Sequence, residues 1–431
     1  MEQAMNTVKA TLIAVALAST HAQWAGAGEQ QASKGLIEDS TLNLLNRNFW
    51  IHRDYRNARR NTRNEWDQGI QAHYVTGFTP GMLGLGFDVH AYGGIKLDGG
   101  RGSVGNGILP VDSEGRIEDS TGELGGAVKL RVSSTILKYG EQRTTAPVFA
   151  TSDSRLLPET ATGVHLASQE YEKLFVEGGH FTSVNRRDSS NADGALTTEY
   201  AGVEARSVDF IGATYRVTDR LSLAAYASQA EELWRQYFAN VYYTLPLAET
   251  QAVSFDLVAY NTRDQGAALA GQLDNTAYSL KGAYSQGPHK LSVAYQKISG
   301  DDFFDYIGGD SIWLANSVQY SDFNAPNERS WQLRYDLNLV AFGVPGLTLM
   351  ARYVKGDQID GTRVDPSGPF AGWAGDDQKH WERDMEARYV IQAGMAKDLS
   401  FRLRQATHRS TSFDNDLDEV RLIVEYPLSL L

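Results

Sequence analysis

The chain has no cysteine. This excludes disulfides and thiol chemistry, so a fold in an oxidising compartment must hold itself by burial and hydrogen bonding. No stretch reaches 18 consecutive apolar residues, which leaves no segment able to cross a bilayer as a helix. Basic residues are in deficit: 40 Lys and Arg against 53 Asp and Glu give a formal charge of −13, which argues against a nucleic-acid partner. The nine histidines show no H-E-x-x-H or comparable ligand spacing, and no G-x-S-x-G is present. Neither a metal nor another cofactor is expected. Mean hydropathy is −0.37, a value open to soluble proteins and equally to membrane barrels, in which only alternate residues meet lipid.

The first 27 residues read as a secretory signal rather than as structure. Lys9 supplies a weak basic region, residues 10–18 (ATLIAVALA) the apolar stretch, and Ala25-Gly26-Ala27 a small-residue cleavage site, with a second candidate after Ala22. Removing them takes away one acid and one base and leaves the charge at −13. Tyrosine is plentiful (21, with 8 Trp), as suits strands and membrane–water interfaces.

From about Leu42 onward the recurring signal is apolar/polar alternation over roughly ten residues, followed by a break. Leu83-Leu85-Phe87-Val89-Ala91 alternate with Gly84-Gly86-Asp88-His90-Tyr92, and Trp331-Leu333-Tyr335-Leu337 with Ser330-Gln332-Arg334-Asp336. About 18 such segments follow: 42–54, 66–78, 83–97, 126–139, 162–169, 173–183, 206–217, 221–229, 233–245, 252–263, 275–285, 289–299, 311–321, 329–340, 347–356, 384–394, 399–408 and 418–427. Strands of a sandwich or propeller run about five or six residues, whereas these suit tilted membrane strands of about 9–11. The breaks also alternate in length, short at 218–220 and 285–289, long at 98–125, 184–205, 300–310 and 357–383. The expectation is an all-β, closed, antiparallel transmembrane barrel over residues 28–431, with its edges removed and every backbone group paired, as lipid demands.

Residues 140–163 interrupt that rhythm with two prolines, many small and hydroxylated residues, and Arg155 in the middle. Long irregular segments in compact proteins are commonly functional. Its apolar members Val148, Phe149, Leu156 and Leu157 point to a loop folded inward to constrict the lumen. If the apolar faces look at lipid, the polar faces line that lumen. Phe401 and Leu403 outward put Arg402 and Arg404 inward. Arg421 and Arg388 fall on inward sets. Arg47 and Arg53 take the parity opposite to Leu42, Leu44 and Trp50. With Arg63 and Arg155 these form a row of guanidiniums suited to carboxylates. The bland reading pairs them with Asp384, Glu386, Glu419 and Glu425 for structure. Between Asp301 and Asp322 an acidic, tyrosine-bearing stretch (Asp305, Tyr306, Asp310, Tyr320, Asp322) offers either a pocket for a hydrogen-bonding or cationic group, or aspartates that cap turns.

GLIEDSTLNLLNRNFW, TAPVFATSDSRLLPETATG, GGDSIWLANSVQYSDFN, SWQLRYDLNL, AKDLSFRLRQ and the ending VRLIVEYPLSLL resemble the OprD-type porins of pseudomonads, the outer-membrane carboxylate channels, from about Lys34 to Leu431. The resemblance implies an 18-stranded barrel in the bacterial outer membrane, a pore complete in one chain with a weak trimer as an option, and no enzymatic role. It implies a basic ladder of Arg53, Arg63, Arg155, Arg388, Arg402, Arg404 and Arg421, and an eyelet of Tyr200, Tyr306, Asp310, Ser317, Tyr320 and Asp322. Substrates of the family are small carboxylates, basic amino acids in one branch and monocyclic aromatic acids in the other; both stay open here. Some members have been classed as serine peptidases on a His/Asp/Ser set, matched here by His180 and Ser311 with Glu232 in place of Asp. A plugged structural or adhesin barrel is the third alternative.

Overall fold

The computed structural model describes residues 30–56, 60–100 and 102–431; the signal-peptide expectation falls outside them. Eighteen strands make one closed sheet: β1 (Thr41–Tyr55), β2 (Arg63–Val75), β3 (Gly84–Asp98), β4 (Ser120–Val132), β5 (Thr135–Gln142), β6 (Thr160–Tyr171), β7 (Leu174–Asn185), β8 (Val208–Thr218), β9 (Leu221–Ala230), β10 (Trp234–Ala248), β11 (Gln251–Asp264), β12 (Asp274–Gln286), β13 (His289–Ser299), β14 (Arg329–Asn338), β15 (Leu347–Ile359), β16 (Gln378–Val390), β17 (Ser400–Ser410) and β18 (Leu417–Ser429). Each pairs antiparallel with the next, and β18 returns to β1 from Asn43↔Ser429 to Tyr55↔Leu417. No edge is left over.

The alternation explains the wall. Leu85, Phe87, Leu257, Leu280, Leu291, Val293, Leu333 and Leu403 are exposed on the outside, which costs free energy in water and stabilises in lipid. Exposed aromatics fall at two heights. Trp66, Tyr237 and Trp331 lie toward the end that carries the long loops, and Tyr215, Tyr243, Tyr284, Tyr335 and Tyr389 toward the end that carries the turns. These are the two interfacial girdles of a membrane barrel. At the turn end, five connections (133–134, 172–173, 219–220, 249–250 and 287–288) are two residues each. At the other end, connections such as 99–119, 143–159, 186–207, 300–328 and 360–377 are long.

The count of 18 agrees with the sequence reading, but through two offsetting corrections. The segment 126–139 is two strands, β4 and β5, joined at Ser133-Ser134, where Ser133 adopts φ +52°. No glycine, proline or asparagine marks that turn, so the alternation reads straight through it. The expected strand 311–321 is not a strand; it belongs to the long connection 300–328. Its apolar residues Ile312 and Leu314 pack inside the barrel against loop neighbours, so their spacing serves a lumenal core rather than lipid. The inserted loop is also shorter than 140–163, because β5 runs to Gln142 and β6 begins at Thr160. Gly140 and Gly163 are wall residues at its root. A Cβ on Gly140 (φ +132°) would lie 2.5 Å from Gly126 O, and one on Gly163 would lie 2.1 Å from His180 O. The neighbouring backbones approach too closely there for any side chain.

Candidate functional site: the constricted lumen

The loop 143–159 is held at both of its ends by burial. Near its start, Thr145–Ala146 pair with Phe149–Ala150 in a small hairpin. The Phe149 ring sits 5.1 Å from Phe181 of β7 and 6.5 Å from Phe210 of β8, centroid to centroid. Tyr260 of β11 donates to Pro147 O at 3.0 Å. Near its end, Leu156 and Leu157 are buried with Phe49 and Ile51 of β1 and with Ile108 and Leu109. Strands β7, β8 and β11 lie across the ring of eighteen from β1, so residues 151–155 must cross the lumen. That crossing is the constriction.

The connection 300–328 folds in beside it, and the two are laced together. Ser311 Oγ accepts from Ala150 N (2.6 Å) and donates to Ile307 O (2.6 Å). Glu159 Oε2 accepts from Ser152 N (2.9 Å) and Gly309 N (3.1 Å). Asp310 accepts from Ser152 Oγ (3.1 Å) and Asp153 N (3.3 Å). Gly308 adopts φ +82°, and a Cβ there would meet Ala150 O at 2.6 Å, so only glycine permits this approach. Replacing Ser311 with Ala should leave Ala150 N buried without an acceptor, at a cost of about 1–3 kcal/mol to the contact between the loops. The expected readout is noisier single-channel current from an otherwise intact barrel. Current as quiet as that of the unsubstituted protein would show that the lacing does not depend on this hydroxyl.

Cross-strand register stacks the basic residues on the wall. Arg53 faces Arg63 between β1 and β2, Arg388 faces Arg402 between β16 and β17, and Arg404 faces Arg421 between β17 and β18. Like charges directly opposite one another destabilise a sheet unless something neutralises them. Part of the neutralisation is internal. Glu419 accepts from Arg53 Nε and Nη2 (2.8 and 2.5 Å) and, with its other oxygen, from Arg421 Nε (2.5 Å). Glu386 lies 3.8 Å from Arg402 Nε and 3.1 Å from Arg404 Nε, without hydrogen-bond alignment to either. Arg63 donates to Gly105 O and faces the Tyr55 ring. Arg155 donates to Asn106 O (3.0 Å) and Ser154 O (3.1 Å) and has no carboxylate partner among the described residues. Arg388 has neither an ion pair nor a hydrogen bond among the described residues, and its buried Nε is unpartnered. Seven guanidiniums therefore share two carboxylates. Burial, and then the positive charges of Arg421, Arg187 and Arg53, push Arg155 well below its ordinary value.

The tyrosine and aspartate positions do not form one pocket. Tyr200 Oη and Tyr306 Oη each donate to Asp322 Oδ2 at 2.7 Å, and Ser317 Oγ donates to Asp322 Oδ1 at 2.5 Å. This set is a closed structural clasp. Asp305 beside it accepts from the backbone N–H groups of Tyr200, Ala201 and Tyr306. Asp310 stands apart, exposed to the lumen beside the crossing segment. Tyr320 lies elsewhere again, donating to Asp414 (3.2 Å), with the Arg53 guanidinium 5.3 Å from its ring centroid.

The residues matched to a peptidase set are dispersed. His180 is on the outer face of β7, half exposed, with Asp209 at 2.7 Å. Ser311 is fully buried inside the barrel, and Glu232, between β9 and β10, accepts from Ala267 N (2.5 Å). Two further arginines stand at the site, Arg47, whose inward parity places it in the row read from the sequence, and Arg352, which the sequence reading did not name. Arg47 binds Asp153 (2.7 Å) and Glu425 (2.8 Å), and so clamps the crossing segment to the wall. Arg352 of β15, opposite Arg334, binds Asp384 (2.6 Å). The alternation rule that placed Arg402 and Arg404 inward also places these arginines there. Asp153 follows no period, and only the folded loop reveals its role.

The model of the OprD family of outer-membrane porins matches residues 34–430. The chain belongs to that family. Porin D of Pseudomonas aeruginosa is 48% identical over 99% of this chain and 100% of its own length. A crystal structure of P. aeruginosa OprD superposes with TM-score 0.84 at 48% identity, covering 94% of this chain and 99% of that one. P. aeruginosa OpdK, crystallised with vanillate, superposes with TM-score 0.84 at 34% identity, covering 92% of this chain and all of that one. This OprD-family porin is thus an 18-stranded barrel of the bacterial outer membrane that takes up small solutes, with 143–159 and 300–328 folded into its lumen.

Proposed function

We propose that this porin passes small carboxylate-bearing solutes selectively and passively, along Arg53, Arg63, Arg155, Arg388, Arg402, Arg404 and Arg421. The observation that carries the reading is that these seven guanidiniums have only Glu386 and Glu419 as paired carboxylates among the described residues, with Nε of Arg388, Arg402 and Arg404 buried and unpartnered in hydrogen bonding. The Arg402 and Arg404 side chains stay partly exposed, so a passing carboxylate can meet the accessible part of each guanidinium. The field that depresses Arg155 lowers the energy of an anion at the same place. Spread over several arginines, the attraction makes a run of shallow wells, as conduction requires. Each barrel encloses a complete path, so one chain suffices whether or not barrels associate. OpdK bound to vanillate, an aromatic carboxylate, supports this solute class.

Asp310 favours a second substrate branch. It is exposed to the lumen and hydrogen-bonded only to neutral donors, so it offers an acceptor for the cationic end of a basic amino acid. The peptidase reading lacks this kind of support, since His180 is exposed on the outer face of β7 while Ser311 is buried in the connection 300–328 inside the barrel. A planar bilayer holding the purified porin, with benzoate and arginine added in turn, separates the branches. Interruptions of the current by benzoate alone select aromatic acids, and by arginine alone basic amino acids. Equal passage of benzoate and an uncharged sugar would remove carboxylate selectivity from the account.

A further inference from the structure

A second polar constellation lies where the loop ends of β16 and β17 meet the connection 411–416. His380 and His408 are buried, and His380 Nδ1 lies 2.9 Å from His408 Nε2. The remaining nitrogen of each ring is already committed. His408 Nδ1 is 2.6 Å from Asn415 O, which can only accept, so that nitrogen carries a proton. His380 Nε2 is 2.6 Å from Glu328 Oε1. With its proton donated to that carboxylate, the neutral tautomer puts a lone pair on Nδ1. Two imidazole lone pairs then face each other at hydrogen-bond distance, an arrangement that needs either a shared proton or a metal cation between them.

Asp414 completes the set. Its hydrogen bonds from Tyr320 Oη, Asn415 N and Asn415 Nδ2 all fall on Oδ1. That leaves Oδ2 turned toward His408 Nε2 at 3.7 Å. The three ligand atoms lie within 4.8 Å of one another. We infer that His380 Nδ1, His408 Nε2 and the Asp414 carboxylate form a binding site for a late first-row divalent cation of the zinc class. Two imidazoles and one carboxylate match that class rather than calcium or magnesium. The outer contacts support the assignment independently: metal-binding histidines donate their other N–H to a carboxylate or backbone carbonyl, here Glu328 and Asn415. Zinc–nitrogen bonds of about 2.0–2.1 Å in tetrahedral geometry put the two nitrogens about 3.3 Å apart, so the rings need to open only by about 0.4 Å. Asp414 is partly exposed and gives access from solvent. Through Tyr320 the site reaches the connection 300–328, so a bound ion ties the rim to the constriction.

The other His-acid group among the described residues, His90 with Glu123 and Glu141, brings one imidazole, and the Thr160 hydroxyl lies within hydrogen-bond distance of both of its carboxylates. This difference makes the test specific. The full chain, purified without a polyhistidine tag, is titrated with zinc chloride by calorimetry, and the complex is measured by zinc-edge X-ray absorption. We expect one zinc per chain with two imidazole ligands. Glu328→Gln should weaken binding about 10–100-fold, as loss of an outer-shell partner does, and His380→Gln or His408→Gln by more. His289→Gln, at a turn on the opposite end, should bind as the unsubstituted protein does. Absence of stoichiometric binding, one imidazole or none in the absorption spectrum, or an unchanged affinity in His408→Gln would each overturn the assignment. The spectrum of the unsubstituted protein decides the matter even where a variant does not fold.

Discussion

Phe149→Ala combined with Leu156→Ala should open the pore. Phe149 is fully buried between Phe181 and Phe210, and Leu156 is fully buried against β1. These two side chains anchor opposite ends of the crossing segment. Truncating them costs about 3–5 and about 2–5 kcal/mol. They belong to separate clusters, so the losses should add. What remains to hold the loop in is a set of hydrogen bonds, among them Tyr260 to Pro147 O and Ala150 N to Ser311, each worth a net of about 0.5–1.5 kcal/mol, together with the Arg47–Asp153 ion pair. Burial is the larger contribution, so the loop should leave the lumen. None of the barrel's strand pairings runs through residues 143–159, so the wall should stay closed. The expected result is a severalfold larger single-channel conductance with loss of discrimination between benzoate and uncharged solutes. Unchanged conductance in a correctly inserted barrel would mean that the loop is not held by these anchors.

The second large effect is electrostatic. Converting Arg388, Arg402 and Arg404 together to Gln should reduce benzoate flux by about tenfold or more, since one unit charge a few ångströms from an anion contributes about 1–4 kcal/mol between aqueous and surface-like dielectric conditions. The ion preference measured from reversal potentials should move from anions toward cations. The contrast should shrink as salt rises, because a water-filled lumen screens. Heat stability of the barrel should hold or increase, since Arg388 and Arg402 are directly opposed like charges. A structural role predicts the reverse pattern, a less stable barrel with unaltered flux. That pattern would sink the ladder.

The two predictions divide along the line between local and non-local information. The wall was legible because a strand's side-chain period is two. Leu403 outward fixes Arg404 inward whatever the rest of the chain does. The same rule carried the inward arginines and their carboxylates. It failed where its premise failed. In residues 311–321 the apolar side chains face an interior built by other loops, and at Ser133-Ser134 the turn rests on two serines, weaker turn formers than Gly, Pro or Asn. The clasp on Asp322 shows the same limit. Tyr200, Tyr306, Ser317 and Asp322 were each singled out, but their shared acceptor, and the separation of Asp310 and Tyr320 from them, depend on how 186–207 and 300–328 settle inside the barrel.

By itself the sequence determined a closed antiparallel barrel, its lipid face, the parity of its lumen-facing charges and the presence of a long irregular insertion between β5 and β6. Those properties follow from nearest-neighbour geometry and composition. Only the tertiary structure decided which guanidiniums are neutralised, where the crossing segment is anchored, and that His380 and His408, in strands whose register pairs Glu382 with His408, face each other. Contacts between residues far apart in the chain are set by closure of the ring and by burial of loop side chains within it, and neither leaves a periodic trace in the sequence.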